Sequence, residues 1–316
     1  MKNKAKTMRA TLAATILAAV SFAGSISEIE AADPVEIGHV LGLRSREMTK
    51  DYRIAMELMM ERVFEEFGVS TSMNAFETAE EALEAFWSGE VDVTEISSLD
   101  LVLLPKEKRD RMRIVGVVNL DEDHFKKYQL VAAPGTKLED LEGEPVHVVG
   151  RGEWNVGRRW LELELIEKFG KSSDEFFGKI TVVDYEQPNE VVLPTFFGKS
   201  KACLVMSHQI DLLAELNPQL SVRLKPILSS PEMMGLSFVI RADYGDAKIK
   251  ELQESTAKLH TTPDGQQAFT LMKVSRMSGA SEADLLSLEA IAKRMKENEK
   301  AEFIAALPKG IGAEED

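Results

Sequence analysis

The stretch Thr78-Ala79-Glu80-Glu81-Ala82-Leu83-Glu84-Ala85-Phe86-Trp87-Ser88-Gly89-Glu90-Val91-Asp92-Val93-Thr94-Glu95-Ile96 decides how this chain is to be read. Thr78 and Glu81 form a capping box. The threonine hydroxyl accepts from the N–H of Glu81, and the glutamate reaches back to the N–H of Thr78. Ala79, Ala82, Leu83, Phe86 and Trp87 then recur at helical spacing and make one apolar face, with Trp87 read as a core residue. Gly89 ends the helix, because a residue without Cβ takes the left-handed conformation there at little cost. Val91 to Ile96 reads as a short strand. A capped helix passing through one glycine into a strand is the unit from which a parallel sheet flanked by helices is built.

The same alternation runs outward in both directions. Upstream, Val35 to Val40 reads as a strand, Thr49 to Phe67 as a helix stopped by Gly68, and Val69 to Phe76 as a weaker strand. Downstream, Ser98 to Leu104 reads as a short helix stopped by Pro105, and Arg113 to Val118 as a buried strand. A second series follows the charged stretch Asp121 to Lys127. Its strands are expected at Tyr128 to Ala133, Val146 to Val149, Ile180 to Tyr185, Lys201 to Met206 and Val222 to Leu228. Helices are expected at Asn155 to Phe169, Asn189 to Phe197 and Ser207 to Leu216, with a helical turn at Leu138 to Gly143. Leu236 to Ile240 reads as a last strand. Helices then follow at Ala247 to His260, Pro263 to Lys273 and Glu282 to Glu297. Two such series predict an α/β protein with two lobes and a cleft between them.

The N-terminal residues point to export. Lys2, Lys4, Lys6 and Arg9 precede the apolar run Ala10 to Ala23, which is too short and too alanine-rich for a comfortable membrane span. Ser21-Phe22-Ala23 and Ile29-Glu30-Ala31 each offer a cleavage pattern, and residues 1–31 are expected to be a signal peptide with cleavage after Ala31 preferred; an uncleaved N-terminal anchor is a further reading. No cysteine lies near that site, so a lipid anchor is not expected. The mature protein is expected to be free in the periplasm, with no direct membrane insertion and no later apolar stretch long enough to span a bilayer.

Charge narrows the partners. The 316-residue chain carries a formal charge of −15, which becomes −17 when residues 1–31 and their four basic and two acidic side chains are removed. So acidic a surface opposes nucleic acid and anionic membranes. The single cysteine, Cys203, cannot make an internal disulfide and reads as a small core residue of a strand. Five histidines, His39, His124, His147, His208 and His260, show no metal-ligand spacing. No nucleophile elbow, phosphate loop or dinucleotide fingerprint is present. No catalytic residue, metal or cofactor is therefore expected, and the chain is read as a binding protein, not an enzyme.

Four phrases, in order, carry a resemblance. Glu84 to Val93 resembles the helix-Gly-x-Val-Asp-strand phrase of type II periplasmic binding proteins. Leu138-Glu139-Asp140-Leu141-Glu142-Gly143-Glu144-Pro145-Val146 resembles the phrase that opens their second lobe. Asn189 to Cys203 resembles their second helix-Gly-Lys-strand phrase, and Ser229-Ser230-Pro231 to Arg241 their return to the first lobe. The nearest branch is the phosphate/phosphite/phosphonate substrate-binding proteins of ABC transporters. The resemblance implies a discontinuous first lobe, 32–120 plus 236–316, and a second lobe, 121–235. It also implies crossings near Leu120 to Asp123 and Met233 to Leu236 that act as a two-segment hinge. A small solute would bind between the lobes at strand ends and helix N-termini, and an ABC transporter permease would be the partner. A monomer is expected.

The candidate ligand residues lie where that fold turns toward its cleft. Arg44 follows the first strand, in Gly42-Leu43-Arg44-Ser45-Arg46. Ser97 and Ser98 follow the strand that ends at Ile96. Tyr185 and Ser207 are strand-end candidates, and Asn189 matches a position where related proteins place His or Asn. The turn after Val146 to Val149 departs from the phosphonate branch, whose Ser-x-Ser-Gly is replaced here by Gly150-Arg151-Gly152-Glu153-Trp154-Asn155-Val156-Gly157. Arg151 offers a charged fork to an oxyanion, Trp154 an apolar wall, and Asn155 begins the following helix. The expected solute is small, organic and anionic or zwitterionic, phosphonate-like in class. Two alternatives stand beside transport: a sensor module of the same fold that feeds a signalling receptor, and a lyase-type enzyme of the same fold.

Overall fold

The computed structural model describes residues 34–40, 61–65, 68–119, 125–150, 156–183, 187–272 and 274–298. Of the helix expected over Thr49 to Phe67, only residues 61–65 lie among them, and they are helical.

Thirteen strands are present among the described residues: β1 (Val35–Val40), β2 (Thr71–Phe76), β3 (Val93–Ser97), β4 (Met112–Asn119), β5 (Phe125–Lys126), β6 (Tyr128–Ala132), β7 (Pro145–Val149), β8 (Lys179–Val183), β9 (Ala202–Met206), β10 (Lys225–Ser229), β11 (Met233–Met234), β12 (Leu236–Arg241) and β13 (Arg276–Ser278). They are interleaved with α1 (Ala79–Ser88), α2 (Ser98–Leu103), α3 (Lys106–Arg109), α4 (Val156–Phe169), α5 (Ser173–Phe176), α6 (Pro188–Phe196), α7 (Ser207–Leu216), α8 (Gln219–Arg223), α9 (Asp246–Lys258), α10 (Pro263–Met272) and α11 (Leu286–Glu297).

The founding stretch folds as its chemistry dictates. Thr78 Oγ1 accepts from the Glu81 N–H at 3.1 Å, and Glu81 Oε2 accepts from the Thr78 N–H at 3.2 Å. Gly89 closes α1 at φ 84°, in the left-handed region. Ala82, Leu83, Ala85 and Phe86 are buried.

Sheet membership separates two halves of the chain. The first sheet is six-stranded, in the order β13-β4-β12-β3-β1-β2. Here β1 runs parallel to β2 and β3, while β12 runs antiparallel to both β3 and β4. The second is five-stranded, in the order β10-β6-β9-β7-β8, with β7, β8 and β9 parallel and β6 antiparallel to β9. Between them lies a two-residue antiparallel pair, Met233 with Lys126 and Met234 with Phe125. The first sheet thus draws its strands from Val35–Asn119 and Leu236–Ser278, and the second from Tyr128–Ser229.

The halves share packing. One apolar cluster includes Phe86 of α1, Leu99 and Val102 of α2, Trp160 and Leu163 of α4, Met233 and Met234 of β11, and Leu288, Ile291 and Met295 of α11. A second cluster lies beneath the first sheet, with Val35, Ile37, Val115, Phe238, Leu252 and Phe269.

Two local expectations are corrected. Val222 belongs to helix α8, which follows Pro218 at its N-cap, and the strand begins only at Lys225. Leu236 is not in the last strand, because Arg276–Ser278 adds another along β4. The sheets are parallel-rich in β1 to β3 and β7 to β9, while β12 and β13 in the first sheet and β6 in the second run against their neighbours.

Candidate ligand-binding site

Strand direction fixes where a site can form. Ser97 ends β3, Asn119 ends β4, and Leu236 begins the antiparallel β12 opposite Ser97, so all three lie at one end of the first sheet. Met206 ends β9 and Tyr128 begins β6 opposite it, while Ser229 ends β10 opposite Gln129. Both passages of the chain between the sheets therefore leave and arrive at the carboxyl ends of the parallel strands. Those ends are where an open α/β sheet places its ligand-binding loops.

On the first side, Ser97 and Ser98 are built into the start of α2. Ser97 Oγ accepts from the Asp100 N–H at 3.1 Å and caps the helix. Ser98 is fully buried; its N–H donates to Gly235 O at 2.9 Å, and its hydroxyl lies 2.5 Å from that oxygen and 2.7 Å from Ser237 Oγ. The hydroxyl of Ser98 therefore ties α2 to the segment that returns from the second sheet. Beside it, His39 Nδ1 lies 3.0 Å from Glu95 Oε1, and the Val40 N–H donates to Glu95 Oε2 at 3.3 Å. This pair borders a small cavity of about 30 Å3 lined by Ile37, Val93, Phe238 and Leu252, about the volume of one water molecule.

On the second side, Ser207 opens α7 and is half-buried, its N–H donating to Lys127 O at 2.8 Å. Asn189 is exposed in the first turn of α6, whose first residue is Pro188. Tyr128 is bound to Ser230 in both directions: its N–H donates to Ser230 Oγ at 2.9 Å, and the Ser230 N–H donates to Tyr128 O at 2.8 Å. The Tyr128 ring abuts the first turn of α4, where a Cβ on Gly157 would fall 2.2 Å from Cδ1. Arg44, Arg151, Trp154, Asn155 and Tyr185 lie outside the described residues, in the segments that follow β1, β7 and β8.

Sequence reasoning passed over the charged contact that joins the two sides. Arg159 of α4 donates through Nη1 to Asp100 Oδ1 of α2 at 2.6 Å; Arg159 is 7% exposed and Asp100 is fully buried. The signal was present: Val156, Arg159, Trp160 and Leu163 fall on one helical face, and an arginine on an apolar face needs a partner.

Burial pushes the Cys203 thiol up to about 12, so it stays protonated. His147 is held below the ordinary imidazole range by burial and then by the charge of Lys179. Among the described residues no group of three or more His, Cys, Asp and Glu is arranged to hold a metal ion. An open groove of about 670 Å3 lies at the opposite end of the second sheet, between Pro134–Glu139 and Lys225–Leu228, away from the strand ends that carry the candidates. No helix among the described residues is long and apolar enough to cross a membrane.

Two mixed sheets flanked by helices, with their connections at the carboxyl ends of the strands, define a two-lobed binding protein of the type II periplasmic kind. Residues 41–285 match the family described as "ABC transporter, phosphonate, periplasmic substrate-binding protein", and the chain belongs to that family. Similar solved structures include XAC2383 from Xanthomonas citri bound to ATP, at 11% identity over 84% of this chain and 98% of that one, TM-score 0.55. PhnD1 from Prochlorococcus marinus in complex with methylphosphonate is 13% identical over 84% and 98%, TM-score 0.51. A binding protein component of an ABC phosphonate transporter from Pseudomonas aeruginosa is 14% identical over 86% and 93%, TM-score 0.52. Identities this low show a shared fold. Among curated proteins none matches the sequence.

Proposed function

We propose that this protein is an exported solute-binding protein that closes on a small anionic or zwitterionic organic solute, phosphonate-like in class, and delivers it to an ABC transporter. The observation that carries the reading is the match of residues 41–285 to the phosphonate substrate-binding family. The topology supports it, because the strand ends of both sheets lie where the chain passes between them. In this reading the sheets are two lobes, 32–120 plus 236–316 and 121–235, and the paired strands β5 and β11 are part of the hinge. Arg44, Ser97, Ser98, Arg151, Trp154, Asn155, Tyr185, Asn189 and Ser207 would face or frame the solute. The oxyanion would sit at the N-terminus of α4, where unpaired backbone N–H groups and the helix dipole favour negative charge. The mature protein would be a periplasmic monomer without a lipid anchor.

The test is a thermal-shift and calorimetric screen of methylphosphonate, phosphite, alkylsulfonates and amino-acid-like solutes. A cognate solute at a hundred times its Kd adds about 2.7 kcal/mol of stability. Arg151→Ala should then weaken binding by about 1.5–3 kcal/mol, the worth of a charge-assisted hydrogen bond. Unchanged affinity in both Arg151→Ala and Trp154→Ala would remove the turn after β7 from the site. No binding by any member of the screen would refute the solute class.

A further inference from the structure

The groove at the far end of the second sheet lies where the described chain runs out. Helix α11 packs on α2, reaches α4 and ends at Glu297. Three residues before that end, Arg294 forks onto α4. It donates through Nη2 to Glu164 Oε1 at 2.8 Å and Glu167 Oε2 at 2.6 Å, and through Nε to Glu167 Oε1 at 3.1 Å. Glu164 and Glu167 also line the groove, so α11 delivers the chain to its rim.

The groove has an apolar floor and an unbalanced charge. Leu138 is buried, and Ile227 and Leu228 of the edge strand β10 are half-buried. Its carboxylates are each matched: Glu139 pairs with Lys168 at 2.6 Å, and Glu164 and Glu167 share Arg294. Lys137 and Lys225 line the same groove and have no carboxylate partner among the described residues. In a chain of formal charge −15, this is a locally positive seat over an apolar floor. It complements a segment that is apolar and acidic.

The chain beyond α11 is such a segment. Residues 299–316 carry Glu299, Glu302, Glu314, Glu315 and Asp316 against Lys300 and Lys309. Phe303, Ile304 and Leu307 follow one another at the spacing of one helical face. The chain from Glu297 to Phe303 can extend about 20 Å, enough to pass from the rim into the groove.

We propose that residues 301–307 dock in this groove of their own chain, with Phe303, Ile304 and Leu307 against Leu138, Ile227 and Leu228, and with neighbouring carboxylates toward Lys137 and Lys225. The groove is then an intramolecular seat and not a second solute site. The docked segment also covers part of the open edge of β10, which would otherwise offer unpaired backbone groups to another chain. The proposal does not depend on which solute the protein binds.

The test is cross-linking in the full-length chain. Phe303→Cys is combined with Ile227→Cys in the groove, and separately with Val182→Cys, an exposed position on β8 at the other edge of the same sheet. The native thiol of Cys203 is buried and should not compete. A short bismaleimide should join positions 303 and 227 within one chain at least about tenfold faster than positions 303 and 182, because docking raises the effective concentration of one thiol at the other. Equal rates would overturn the proposal. So would a link between 303 and 227 found only between two chains, which would make a second copy the occupant. Hydrogen exchange needs no new cysteine and decides the matter if a double variant does not fold. Phe303→Asp should speed exchange of the β10 amides by about fivefold or more and leave those of β8 unchanged. Unchanged exchange in β10 would also overturn the proposal.

Discussion

At the scale of single residues, Gly157 has a role that its helical setting conceals. It is the second residue of α4, where glycine's backbone freedom still carries an entropic cost relative to alanine. The cost is offset by the Tyr128 ring, which occupies the space a Cβ would need. Gly157→Ala should therefore destabilise the protein by about 1–3 kcal/mol, as overpacking does, despite alanine's better helix propensity. Chemical denaturation of the pure variant checks this, and a gain in stability would contradict it. His147 supplies a second residue-scale prediction. Its folded-state pKa is depressed, so the folded state binds a proton less readily than the unfolded one. Its contribution is present above the ordinary value of 6.5 and is lost as pH falls below it. Stability measured from pH 7 to pH 5 should fall less steeply in His147→Gln than in wild type; equal slopes would remove His147 as a cause.

At the scale of elements, the close approach of α9 to the first sheet depends on Gly116 of β4. A Cβ there would lie 2.6 Å from Thr256 Cγ2 and 2.8 Å from Met277 Cε. Thr256 and Met277 are buried, so neither has free space to retreat into. Gly116→Val should cost about 1–3 kcal/mol or more, and Gly116→Ala less, because only the methyl clash remains. A thermal unfolding series through Gly, Ala and Val measures that order. Helix α1 offers a cleaner case, since Thr78→Ala removes one arm of its capping box and should cost about 1 kcal/mol. Elements of this kind were legible in the sequence. Capping residues, glycine stops and 3.6-residue spacing are local signals, and α1, α4, α7, α9 and α11 lie close to where they predict. What escaped was short or dictated by distant partners. The two-residue strands β5 and β11 and the three-residue β13 are too brief to show alternation. Val222 looked strand-like by its β-branching, but packing placed it in α8. Pro226 could still enter β10, because that strand is at the sheet edge and its missing N–H breaks no inner ladder.

At the scale of the whole molecule, the first prediction is processing. Mass spectrometry of the periplasmic fraction should find a chain that lacks the first two to three dozen residues, and a full-length cytoplasmic product would contradict it. The candidate site was only partly legible. Strand ends and helix starts can be placed from local pattern, so Ser97, Ser98, Asn189 and Ser207 fall at the expected ends of their strands and helices. A pairing such as Asp100 with Arg159 joins residues 59 apart and becomes visible only when the chain has folded back on itself. It follows that the two halves fold under mutual constraint. Arg159→Met leaves Asp100 buried without its cation, and should cost about 3–5 kcal/mol in global unfolding, well above the few tenths expected of an exposed pair such as Lys250–Glu254.

The lone thiol at the centre of the second sheet has a practical consequence. Cys203 lies in β9, between β6 and β7, with no surface open to solvent. A disulfide reagent can reach it only when that half of the molecule opens. The rate at which the native protein consumes such a reagent is therefore a clock for every opening that uncovers the second sheet, running on the chain's own chemistry. A bound solute that staples the two walls together should slow that clock.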